Sequence, residues 1–259
     1  MNGVNNLRHH GRVVLVTGAA SGIGAAIAER YCVEGAAVAL LDADEVKVSQ
    51  RGMALREQGY KVAWHQADVS DFAQCEIACQ ALTSELGSVD TLINNAGVSP
   101  KHDGQPASIW SMSPEEWNWV VGINLTGSFN LARALSPNMV EQRYGRIVNM
   151  SSVAGSAFLP IVAAHYSATK AAIIGFTRHL AGELGPHGIN VNALAPGRIE
   201  TPMVKSVSDE ANEAVIAETP LRRLGQPDEV AQAACFLTSN ESDFITGQVI
   251  DVAGGWLMR

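Results

Sequence analysis

The sequence predicts an α/β fold, a doubly wound parallel sheet of about seven strands with helices on both faces, formed as a single domain. Short apolar runs rich in valine alternate with longer segments of helical character. The loops between them are short, as repeated β-α units require. No Pro/Ser-rich linker, low-complexity tract or 20–50-residue repeat interrupts the 259 residues, so one domain over 12–259 is expected after a polar tail at 1–11.

The elements follow in order. Residues 12–17 read as a strand buried on both faces, and 23–34 as a helix with Ile23, Ile27, Tyr31 and Val33 near one face. Residues 36–41 and 61–66 are the next strands, with a helix at 46–58 between them. A helix at 72–86 and a very short strand at 91–94 come next, then a loop from 98 to 113. Ser113-Pro114-Glu115-Glu116 opens a long helix with a capping serine, a proline at the first helical position and acids against the dipole. Strands at 146–150 and 189–194 flank a helix at 164–185. After an irregular stretch, a helix at 227–237 and a strand at 248–252 end the chain.

Composition narrows the function. Lys plus Arg is 18 against 26 Asp plus Glu, a net charge of −8, which argues against a nucleic-acid or anionic-membrane surface. No apolar run reaches the roughly 20 residues of a membrane span. Residues 1–10 lack the apolar core of a signal peptide, so a cytoplasmic location is expected. The 4 cysteines form no C-x-x-C pair and the histidines near them have no zinc spacing, which predicts buried thiols and no metal.

In an open α/β sheet, ligands lie beyond the carboxyl ends of the strands, where the strand order switches. The first strand runs into Thr17-Gly18-Ala19-Ala20-Ser21-Gly22-Ile23-Gly24 and then a helix. Glycines there permit positive φ and a close backbone approach to a pyrophosphate, and the helix N-terminus adds donors. The spacing is G-x-x-x-G-x-G, not G-x-G-x-x-G, so its position between strand and helix carries the assignment. Asp42, after the second strand, suits the hydroxyls of an adenosine ribose and repels a 2′-phosphate. Ser21 and Ala43 offer that phosphate no cation, so NAD(H) is predicted over NADP(H). Asp68-Val69 places a carboxylate for the adenine amino group. Asn94-Asn95-Ala96-Gly97 both satisfies a turn and shapes the cofactor floor.

Tyr166 and Lys170 are four apart and share a helix face. A free tyrosine, with a pKa of about 10, is a poor proton shuttle at neutral pH, and an adjacent ammonium lowers it. Ser152 lies just past a buried strand, placed to hydrogen-bond a reacting carbonyl, while alternation turns Ser151 elsewhere.

These motifs together resemble the short-chain dehydrogenase/reductase family, in its single-domain subgroup with a Rossmann-type sheet. The matches run in order through Thr17-Gly18-x-x-x-Gly22-Ile23-Gly24, Asn94-Asn95-Ala96-Gly97, Asn124, Ser152, Tyr166-x-x-x-Lys170 and Pro196-Gly197-x-Ile199-x-Thr201 to Gly254-Gly255. The resemblance implies that Tyr166 is the general acid/base and that Ser152 polarises the substrate oxygen. It also implies that Lys170 binds the nicotinamide ribose and that Asn124 holds a water linking Lys170 to solvent. Ile199 and Thr201 would contact the carboxamide. The implied reaction is hydride transfer between NAD(H) and a secondary alcohol or ketone, in a homotetramer. A substrate loop is expected at about 198–224, with 203–219 as the mobile cover.

The chain departs from the pattern in three places. Ser152 and Tyr166 are 14 apart, one more than is commonest, which predicts that 153–165 bulges into the pocket. Ala253 stands where an acid often precedes the final glycines. The loop after Gly97 is long and offers Lys101, His102 and Trp110 for substrate recognition or as solvated residues. His165 is expected to start a helix, Trp117 and Trp119 to pack, and Trp256-Leu257-Met258 to dock on a neighbour or on its own subunit. The leading expectation is dehydrogenation of a small polyol, sugar, sugar acid or cyclic alcohol. The alternative is a 3-oxoacyl-acyl-carrier-protein reductase, for which Arg143 fits a basic docking patch that Glu141 and His187 weaken. A non-catalytic NAD-sensing regulator is a third reading, opposed by the complete Ser152, Tyr166 and Lys170 set.

Overall fold

Seven strands, β1 (Val13–Thr17), β2 (Ala37–Asp42), β3 (Val62–Gln66), β4 (Thr91–Asn94), β5 (Gly145–Met150), β6 (Ile189–Pro196) and β7 (Val249–Val252), form one sheet in the computed structural model, which describes residues 7–205 and 209–258. All neighbours are parallel, in the order β3-β2-β1-β4-β5-β6-β7. The helices are α1 (Gly22–Val33), α2 (Glu45–Glu57), α3 (Phe72–Leu86), α4 (Pro114–Val121), α5 (Gly127–Gln142), α6 (Ala164–Leu184), α7 (Pro202–Lys205), α8 (Asp209–Glu218) and α9 (Pro227–Thr238).

The period of two along each strand divides the core. In β1, Val14 and Val16 meet Ile27 and Tyr31 of α1, Leu55 of α2 and Ala234 of α9 in one cluster. Val13 and Leu15 point the other way, into a cluster with Leu82 of α3, Leu135 of α5 and Leu184 of α6. Both faces of the sheet are therefore covered, which is why its strands read as unbroken apolar runs. Fully burying each such side chain is worth about 1.5–3 kcal/mol.

Most boundaries fall within a residue or two of the expected ones. Val33 is exposed, since it lies half a helical turn past Tyr31. The single long helix expected from Ser113 is instead α4, a π-helical turn at Gly122–Thr126, and α5. The irregular stretch after β6 contains α7 and α8. The Ala and Glu residues of α8 favour helix without giving an apolar period. Part of the expected cover at 203–219, residues 206–208, lies outside the described residues.

Within the expected polar tail, residues 1–6 also lie outside the described ones, and His9 is buried. His9, Glu34 and Cys235 converge in the interior with ligand atoms within 4.8 Å of one another. Arg30 at 2.7 Å and Arg8 at 3.4 Å already supply the counter-charge of Glu34. All four cysteines are free and buried, with burial pushing Cys32, Cys75 and Cys79 up to about 12. None of the helices among the described residues is long and apolar enough to cross a membrane.

Candidate active site

β1 has β2 on one side and β4 on the other, so the strand order reverses there. The loops leaving the carboxyl ends of these strands diverge, and a cleft of about 390 Å³ opens between them.

At one end lies the glycine-rich turn. Gly18 and Gly22 have φ of +61° and +55°, the left-handed region that favours glycine. A Cβ on Gly24 would sit 2.1 Å from the Gly18 carbonyl, so Gly24 works beneath the loop and does not line the cleft. Asp44, Asp71 and Ser113 cap α2, α3 and α4 with their side chains, but Ser21 makes no such bond at α1. The first N–H groups of α1 are thus left without a capping side chain beside Gly18, Ser21, Gly22 and Ile23, all of which line the cleft. Asn95 fixes the turn by donating through Nδ2 to the carbonyls of Thr17 (2.9 Å) and Gly18 (3.3 Å). The Thr17 hydroxyl accepts from the backbone N–H of Asn95 (3.0 Å) and of Ala96 (2.9 Å). Asn94 turns into the core and bonds Asn149 at 2.9 Å.

Asp42 projects into the same end. Its two oxygens accept from the backbone N–H of Ala20 (3.0 Å) and of Asp44 (3.1 Å), which fixes the carboxylate before any ligand arrives. Lys47 is paired with Asp44 at 2.7 Å and Arg51 with Glu29 at 2.6 Å, and neither lines the cleft. Asp68 and Val69 form the adjacent wall, the Asp68 carboxylate accepting from the Ser70 N–H at 2.9 Å. The donors, glycines and fixed acid fit a dinucleotide.

At the other end, Ser152 follows β5 and caps a short 3₁₀ turn, accepting from Ala154 N–H at 3.2 Å. It lines the cleft together with Tyr166, near enough to act on the phenol's pKa. Ser151 donates to the Lys170 carbonyl at 2.8 Å, turned into α6 as alternation predicts. Lys170 Nζ donates to the Met150 carbonyl at 2.7 Å and lies 5.6 Å from the centre of the Tyr166 ring. Gly97 makes room for this group, since a Cβ there would stand 3.3 Å from Asn124 Oδ1 and 3.4 Å from Lys170 Nζ.

Asn124 sits in the π-helical turn, a distortion common at functional sites. Its amide clamps the backbone of Val98, accepting its N–H at 2.8 Å and donating to its carbonyl at 3.0 Å. It stands behind the cleft wall, while Pro196, Gly197, Ile199 and Thr201 line the cleft as expected.

Burial raises the Tyr166 pKa, opposed by the Ser152 hydroxyl and the charge of Arg198. The sequence assigned that opposing influence to Lys170. In the structure, burial pushes Lys170 itself down to about 8, which weakens its charge.

The substrate side contains several residues that the sequence did not assign to the site. Arg198, Leu159 and Ile161 line the cleft, the bulge expected at 153–165 supplying the last two, and so does Trp256, expected only as a docking residue. Trp256 docks on its own subunit, donating to Glu218 at 3.1 Å. Of the long-loop candidates, Lys101 lines the cleft and Trp110 is 87% exposed outside it. His102 is 2.7 Å from one oxygen of Glu116, whose other oxygen is 2.9 Å from buried His165. One acid thus ties the long loop to the start of α6, beside Tyr166. Trp117 and Trp119 do not line the cleft, and each keeps part of its ring exposed, at 37% and 49%.

A Rossmann-type sheet whose crevice joins a dinucleotide cradle to a Ser-Tyr-Lys set defines an oxidoreductase that draws on a nicotinamide cofactor for reactions at a hydroxyl or carbonyl carbon. The chain belongs to the short-chain dehydrogenase/reductase family, and a family model described as Enoyl-(Acyl carrier protein) reductase matches residues 18–257. It is 40% identical to a 3-oxoacyl-[acyl-carrier-protein] reductase of Thermotoga maritima over 96% of this chain and 99% of the relative. A Brucella melitensis 3-oxoacyl-[acyl-carrier protein] reductase, solved with bound NAD, is 50% identical with a TM-score of 0.93, covering 98% of this chain and 94% of that one. A gluconate 5-dehydrogenase from Burkholderia cenocepacia, solved with NADP and tartrate, is 32% identical with a TM-score of 0.91, covering 98% of each chain.

Proposed function

We propose that the protein is an NAD(H)-linked reductase of a short 3-oxo compound, run reversibly as a dehydrogenase of the matching 3-hydroxy compound. The observation that carries the chemistry is the convergence of Ser152, Tyr166 and Lys170 on one cleft, with Lys170 Nζ 5.6 Å from the centre of the Tyr166 ring. When bound, the dinucleotide supplies or accepts the hydride at the substrate carbon. Ser152 holds the carbonyl oxygen, and Tyr166 Oη gives it a proton as the C–H bond forms. In oxidation Tyr166 takes that proton back. Lys170 binds the nicotinamide ribose. Asn124 fixes the Val98 backbone and holds a water that links Lys170 to solvent. Ile199 and Thr201 hold the carboxamide end, and the turn from Gly18 to Gly24 holds the pyrophosphate. Asp68 and Val69 face the adenine.

The choice of NAD rests on Asp42. Its carboxylate is held by two backbone donors, and the only cations lining the described cleft, Lys101, Lys170 and Arg198, are grouped on the substrate side. The 3-oxo substrate is supported by the relatives named 3-oxoacyl reductases, which favour it over the polyol expected from the sequence. A hydroxy acid is the second reading, favoured by the cations of the cleft and by the gluconate dehydrogenase among the similar structures.

Assembly as a homotetramer is part of the proposal. It would cover Trp117 and Trp119 of α4 and Phe129 of α5, and light scattering tests it. Initial rates with NADH and NADPH on acetoacetyl thioesters, acetoacetate, 5-ketogluconate and simple ketones test the rest. NADH-dependent reduction of a 3-oxo compound is expected. A preference for NADPH would refute the Asp42 argument, and turnover of simple ketones alone would refute the substrate class.

A further inference from the structure

The substrate side of the cleft contains two cations whose charge no described carboxylate balances. Lys101 comes from the long loop after β4, and Arg198 from the turn after β6. Both are half-buried. Lys101 donates to the Ile161 carbonyl. Arg198 donates through Nε to Asn212 Oδ1 at 2.9 Å, while one of its terminal nitrogens is buried with no hydrogen-bond partner. Leaving a charged donor buried and unsatisfied costs about 1–3 kcal/mol or more, so the orphaned Arg198 nitrogen, with a second uncompensated cation beside it, is destabilising unless an anion completes the pair.

The location excludes two bland uses. Arg198 acts electrostatically on both Lys101 and Tyr166, so the pair belongs to the reacting end and not to Asp42 or the glycine-rich turn. Neither is a solvated surface charge, because burial and the neighbouring Arg198 together push Lys101 down to about 8. The loop is also held for the purpose. His102, next to Lys101, is tied to Glu116, and Glu116 to His165 beside Tyr166.

Resting on hydride transfer at Ser152 and Tyr166, we propose that Lys101 and Arg198 form a subsite for a carboxylate carried on the substrate's own carbon skeleton. The substrate is then a small hydroxy or oxo acid held by its acid group. A carboxylate fits because each cation has donors left over after its protein bond, one group for each oxygen. A neutral polyol or simple ketone would leave both cations uncompensated, so the subsite also selects against such ligands.

Binding separates this proposal from the catalytic reading, because it needs no turnover. Dead-end complexes with enzyme–NADH can be titrated by nicotinamide fluorescence, using 3-hydroxybutyrate against neutral 1,3-butanediol and gluconate against neutral sorbitol. At least one acid should bind 10-fold or more tightly than its neutral partner. Arg198→Leu and Lys101→Met should each erase that preference, and Arg198→Lys should restore part of it, with NADH affinity unchanged in all three. Equal binding of acid and neutral partner, no binding of either acid, or a preference that survives both substitutions would overturn the subsite. Failure of the catalytic reading has a separate signature, full turnover in Tyr166→Phe.

Discussion

The two ends of the cleft are built by different means. At the dinucleotide end the ligand-facing groups are mostly backbone, positioned by two left-handed glycines, an uncapped helix and Asn95 bonded across the turn. At the substrate end they are long side chains brought from separate loops, Lys101, Arg198 and Trp256. The first end is specified by local sequence and tolerates little change. The second depends on tertiary placement, so its ligand can change while the fold stays the same.

Substitutions can break this contrast, beginning where both ends meet. Lys170→Met should lower kcat at least about 100-fold and weaken NADH together, because Lys170 reaches the Tyr166 ring and is assigned to the ribose. Steady-state kinetics with NADH titration would check it, and loss confined to one parameter would separate the two roles.

Asp42→Asn acts at the dinucleotide end alone. A lost charge-assisted bond of about 1.5–3 kcal/mol predicts NADH binding weaker by roughly 10- to 100-fold, with substrate KM unchanged. Nucleotide titration checks it, and the NADPH penalty should shrink in the same variant.

Glu116→Gln is the counterpart at the substrate end. Loss of its charge loosens the tie between His102 and His165, so KM for substrate should rise up to about 10-fold while NADH affinity holds. The hydrogen bond to His165, with the help of His102, also keeps the Glu116 carboxyl below its ordinary pKa. A depressed folded-state pKa contributes stability above the unfolded value and loses it as pH falls through the folded one. Acidification below the usual glutamate range should therefore release the same loop, seen as a rise in KM that Glu116→Gln no longer shows.

Legibility follows the same division. Strand periodicity and the glycine spacing were readable because each is local, and the cleft contains Gly18, Asp42, Ser152, Tyr166 and Lys170 where the motifs implied. Arg198 lay inside a recognised stretch, between Gly197 and Ile199, yet nothing local shows its terminal nitrogen buried without a partner. The π-helical turn at Asn124 was hidden because its flanks read as one continuous helix. Trp256 had two readings, and only the bond to Glu218 separates them. His102 and His165 are 63 positions apart, and only Glu116 brings them to a common partner.

The most direct test of the account is turnover by Tyr166→Phe with NADH and a 3-oxo acid, measured beside NADH binding to the same variant. The account predicts a kcat loss of about 100-fold or more with NADH affinity nearly unchanged, since the phenol donates the proton while the glycine-rich turn and Asp42 hold the nucleotide. Retained turnover would contradict it.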